Sequence, residues 1–116
     1  MNRGYKGTIV EESLEDNRIL NRLTITNVRI SDNDNPYERW HLYTVSVSKE
    51  DIELIAQSLR EGKWYMHFWS GNEVIAVFKK QTFTFDYANK ETWEEAIDYG
   101  LSLGIPLEQL DFIITD

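Results

Sequence analysis

The densest run of apolar positions lies between Lys63 and Lys79, in KWYMHFWSGNEVIAVFK. It divides into Trp64–Trp69 and Val74–Phe78, joined by Ser70-Gly71-Asn72-Glu73. A central Gly-Asn is a two-residue hairpin signal, because glycine reaches the positive φ that a primed turn needs. With those two residues as the loop, Ser70 faces Glu73, Trp69 faces Val74, Phe68 faces Ile75 and His67 faces Ala76. Met66 then faces Val77, and Tyr65 faces Phe78. Strand alternation puts Trp64, Met66, Phe68, Ile75 and Val77 on one face. Tyr65, His67, Trp69, Val74, Ala76 and Phe78 fall on the other. Neither face is polar. Such a hairpin belongs in the middle of a sheet, or keeps one side for a partner.

Before the hairpin, Tyr5 to Leu14 reads as a first strand and Ile19 to Ile30 as a second. In the second, Leu23 and Ile25 alternate with one parity and Val28 and Ile30 with the other, so a bulge is expected near Thr26-Asn27. Ser31-Asp32-Asn33-Asp34-Asn35-Pro36 is a loop by composition. Arg39 to Val47 is a third strand, with His41, Tyr43, Val45 and Val47 on one face. The period changes at Ser48, where Ser48 and Asp51 have capping-box spacing. Ile52, Ile55, Ala56 and Leu59 follow at helical intervals, Leu54 lies off that face, and Gly62 is expected to stop the helix.

After the hairpin, Gln81 to Asp86 predicts another strand. A second helix begins near Lys90–Thr92, with Thr92 and Asn89 as rival caps. Trp93, Ala96, Ile97, Gly100, Leu101 and Leu103 form its apolar face, and Gly100 suggests close approach to the sheet. Gly104 and Pro106 end it. A short helical turn over Leu107–Leu110 and a short closing strand over Asp111–Thr115 complete the chain. The fold class is α+β: an antiparallel sheet of about six strands with two helices, in the order βββα-βββα plus a tail. The two helix starts look alike, which hints at a duplicated half, although capping alone makes helix starts converge.

A chain of 116 residues suits one domain. Twenty acidic against twelve basic side chains give a formal charge of −8, which repels phosphate backbones and argues against nucleic acid. The absence of cysteine excludes disulfides, zinc thiolates and thiol catalysis, and fits the cytoplasm. No signal peptide and no membrane-length apolar run is seen. No cofactor motif is present: there is no Walker loop, GxGxxG or nucleophile elbow.

Four groupings invite chemistry. His41 and His67 lack metal-ligand spacing and read as hydrogen-bonded strand residues, so no metal site is expected. Asp32-Asn33-Asp34-Asn35 opens like a calcium loop but continues with Pro36 and Tyr37 where a ligand and a glycine are needed, so it is a polar turn. Glu91, Glu94, Glu95 and Asp98 line the outward side of the second helix, as a solvated face or as a surface for a basic partner. Tyr65, His67, Trp69 and Phe78, with Trp40, form either a binding face or a second core layer.

The segments WYMHFW (64–69), TWEEAIDYG (92–100) and GIPLEQLDF (104–112) resemble motifs of a family of short bacterial proteins of unassigned function. The resemblance implies a small cytoplasmic single-domain protein and transfers no catalytic residue. The leading functional expectation is a non-enzymatic binding protein that uses the aromatic hairpin face or the acidic helix. A small-molecule pocket or enzyme built on His67, His41 and a carboxylate is the alternative. An acidic immunity- or antitoxin-like inhibitor of a basic protein is the third. Both monomer and homodimer are open.

Overall fold

The computed structural model describes residues 4–112 and 114. Six strands, β1 (Tyr5–Val10), β2 (Thr24–Ile30), β3 (His41–Val47), β4 (Met66–Ser70), β5 (Glu73–Phe78) and β6 (Gln81–Asp86), form one open sheet in the order β2-β3-β1-β4-β5-β6. Every neighbouring pair is antiparallel. Two helices, α1 (Lys49–Ser58) and α2 (Glu94–Ser102), complete the α+β domain. No helix among the described residues is long and apolar enough to cross a membrane.

The hairpin takes the register expected from its alternation, from Ser70↔Glu73 to Met66↔Val77, and Gly71 turns it at φ 60°. Both of its apolar faces are covered. On one side Phe68, Ile75 and Val77 pack with Ile52, Ile55, Ala56 and Leu59 of the α1 segment. On the other, Val74, Ala76 and Phe78 pack with Trp93, Ala96, Ile105, Leu110 and Phe112. The meander β4–β6 is therefore the middle of three layers, which resolves the hairpin's two alternatives in favour of the sheet interior.

The first strand stops at Val10 instead of Leu14, because Glu11–Ser13 turn into a 3-10 helix and the Ser13 hydroxyl donates to the Val10 carbonyl at 2.6 Å. Leu14 then bridges Leu59. The second strand begins at Thr24 instead of Ile19. Asn17–Arg22 form a 3-10 helix that buries Leu20 and is capped by the Asp16 side chain, which accepts from the Arg18 backbone N–H. The register shift between Ile25 and Asn27 is the expected bulge. The third strand starts at His41.

In α1 both bonds of the Ser48–Asp51 capping box form, each at 3.1 Å. The helix ends at Ser58, ahead of Gly62. Its last carbonyl is taken by the Glu15 N–H at 2.7 Å, and Leu59 turns extended to meet Leu14. Asn89 prevails as the second cap, opening a 3-10 turn over Lys90–Trp93 that leads into α2. Thr92 instead bonds the backbone of Asp86 and Asn89. Gly100 admits a close neighbour, but that neighbour is Leu110 and not the sheet: a Cβ there would stand 2.8 Å from the leucine. Leu107–Gln109 form the expected turn. Asp111, Phe112 and Ile114 are not in a strand; the rest of the closing segment, Ile113 and Thr115, lies outside the described residues.

Candidate functional site

The aromatic side of the hairpin is the inner wall of a core layer. Phe78 is fully buried and Trp69 is 9% exposed. Tyr65 stacks on Phe78 and meets the edge of Phe112, each at 5.7 Å, while His67 lies 5.4 Å from Trp69 and 5.7 Å from Phe112. The Tyr65 hydroxyl donates to the Gln109 carbonyl. Burial, aided by the charge of Asp111, pushes its phenol up to about 12. Trp40 is 45% exposed and packs on Trp64 at 5.7 Å instead of joining this layer.

The two histidines do not share a cavity. His41 pairs with Ile30 and has the parity of Tyr43 and Val45, on the α1 side. His67 pairs with Ala76, on the α2 side. A joint histidine site is thereby removed. His41 is exposed, and its Nδ1 lies 2.7 Å from Glu12 Oε2. That hydrogen bond raises the imidazole pKa. Burial pushes the Glu12 carboxyl up, but hydrogen bonds from the His41 ring and backbone outweigh it and hold the carboxyl below its usual range. Glu94, Glu95 and Asp98 are exposed along α2 and Glu91 on the 3-10 turn before it, and none makes an ion pair among the described residues.

What lies beside α2 is more informative. Among the described residues, the helix and the segment after it pack on β4–β6 and not on the same side of β1, β3 and β2. The floor on that side carries Lys6 and Thr8 from β1, Thr44 and Ser46 from β3, and Thr26 from β2. Trp69 stands beside Lys6 in register and forms the wall. This cleft has a volume of about 430 Å³. A second cleft of about 360 Å³ shares Thr8 and Trp69 and adds Ser13, Trp64, Tyr65 and His67.

The second cleft exists because β1 and β4 pair over two positions only, Lys6↔Trp69 and Gly7↔Phe68, and then part. Gly7 makes that crossing possible: a Cβ there would sit 2.3 Å from the Phe68 ring and 2.7 Å from the His67 carbonyl oxygen.

Among the described residues, neither cleft is lined by an aspartate or a glutamate. In a chain with twenty acidic side chains this is a marked local exception. The indole Nε1–H of Trp69 is buried and has no hydrogen-bond partner. An unmet buried donor costs about 1–3 kcal/mol. The described lining of the clefts therefore presents threonine hydroxyls beside the Trp69 ring, which suits acceptor atoms. Their described lining holds no paired carboxylates for acid–base work. Among the described residues no cluster of metal-ligating side chains forms.

Sequence reading missed Lys6, Thr8, Thr44 and Ser46. The signal was present as parity, since Thr44 and Ser46 alternate with Tyr43, Val45 and Val47. It became a site only through β1 lying beside β3. Fold and site together define a small α+β domain, an antiparallel six-stranded sheet whose β4–β6 half is packed on both faces by described residues. Comparison of the chain with family models, with curated proteins and with solved structures finds no match.

Proposed function

We propose that this chain is a non-enzymatic binding protein whose site is the pair of clefts on the α2 side of the sheet. The occupant is a small molecule bearing carboxylate or carbonyl oxygens. One observation carries the reading: two clefts with no acidic side chain in their described lining meet at the Trp69 ring. Their volumes lie within the roughly 300–1,000 Å³ of small-molecule sites. Hydroxyls from Thr8, Thr44 and Thr26 give a polar floor, and Trp69 gives rigid contact area. A cytoplasmic setting suits a chain without cysteine.

The test is nitrogen-15 NMR of the full chain against a panel of simple carboxylic acids and amides. The Trp69 indole resonance and the amides of Thr8, Thr44 and Ser46 should move together with at least one compound. Thr8→Val with Thr44→Val should keep the fold and abolish the response. If shifts collect on α2 instead, or no compound moves the indole, the reading fails.

A further inference from the structure

The outer edge of β2 carries a single charged side chain, Arg29, and a bulge. Six of its seven residues are exposed, and it contains neither proline nor lysine. Bulges commonly blunt an edge. Here the bulge does the reverse. By inserting one residue between Ile25 and Asn27 it brings Ile25 onto the face of Val28 and Ile30, opposite Val45, Tyr43 and His41. Three apolar side chains, 39%, 52% and 45% exposed, then form one row along a free edge.

The charges at the two ends of the strand differ in sign. Arg22 precedes it, and Asp32 and Asp34 follow it; all three are exposed, and none forms an ion pair among the described residues. Parallel contact between two such edges would set like charges together. Antiparallel contact sets Arg22 of each copy against the acidic loop of the other, twice by symmetry.

We propose that two copies of this chain join β2 to β2, antiparallel, as an isologous dimer with a continuous twelve-stranded sheet. The register that keeps apolar rows on one face centres on Val28. Val28 meets the partner's Val28, and Ile30 reaches the partner's bulge beside Ile25. On the opposite face Arg29 meets the partner's Asn27, which avoids placing the two Arg29 side chains opposite each other. The acidic α2 of each copy lies over the far end of its own sheet. Five strand spacings, about 24 Å, separate the two edges of the sheet. That exceeds the screening length of about 10 Å at 0.1 M salt, so the net charge does not oppose this contact. A seven-residue edge is a small interface, so the dimer is concentration-dependent.

Sedimentation equilibrium on the full chain, from micromolar to millimolar, tests the proposal, with circular dichroism to check each variant's fold. Reversible dimerisation is expected, and Val28→Lys should weaken it at least about tenfold, since an edge lysine resists strand pairing. Arg22→Asp should also weaken it, and adding Asp32→Arg and Asp34→Arg should restore it. Arg22, Asp32 and Asp34 are exposed, so the charge swap decides even if Val28→Lys fails to fold. A chain that stays monomeric throughout overturns the proposal, including one that instead binds a foreign peptide at β2. A dimer that ignores Val28→Lys, or a charge swap that does not recover association, overturns it as well.

Discussion

At the residue scale, Tyr65 shows how burial redirects a side chain that looks like a binding group. Its ring is sandwiched in the α2-side core and its hydroxyl is committed to the Gln109 carbonyl. The folded state favours the protonated phenol, which titrates at about 12 against about 10 for a free tyrosine. Stability from this shift is full below pH about 10 and is lost as pH rises toward 12. An ultraviolet titration should find a tyrosine step near pH 12, and Tyr65→Phe should remove it. The same layer separates its members by consequence. Phe78→Ala should cost about 3–5 kcal/mol in urea denaturation, as for a fully buried phenylalanine. None of this burial was legible at single residues, because Tyr65, Trp69 and Phe78 read alike whether a helix covers them or solvent does.

At the element scale, what could be read was local. The hairpin register follows from alternation and a Gly-Asn corner, and the α1 start follows from a capping box three residues wide. The bulge in β2 was visible as a parity change. The 3-10 helix over Asn17–Arg22 was not, because Ile19, Leu20 and Leu23 span too few residues to separate a strand from a helical turn. Gly7 was silent for a different reason: its role depends on Phe68, some sixty positions away. Gly7→Ala forces a Cβ into the Phe68 ring and the His67 carbonyl. Overpacking of this kind costs about 1–3 kcal/mol. A lower urea midpoint is therefore expected, with the largest amide shifts in β1 and β4; an unchanged midpoint would show that the strands yield freely.

At the scale of the whole molecule, charge is unevenly placed. Residues 48–116 hold thirteen of the twenty acidic side chains but six of the twelve basic ones. Self-repulsion in that half falls as salt shortens the screening length. Raising sodium chloride from about 0.02 to 0.5 M should therefore raise the thermal midpoint, and a scan that falls with salt would mean that ion pairs outweigh repulsion. Strand order was beyond sequence reading, since β1 is placed centrally by partners distant along the chain. The clefts beside Trp69 were hidden for the same reason: Thr8 and Thr44 are ordinary strand residues until β1 meets β3 and α2 stops short of both.

The brief ladder between β1 and β4 has a mechanical consequence. With two rungs at the seam and full ladders on either side, bending concentrates there. Few hydrogen bonds join the two halves of the sheet there, so the shared core of Ile9, Val45, Phe68 and Ile75 beneath the seam carries the load between them.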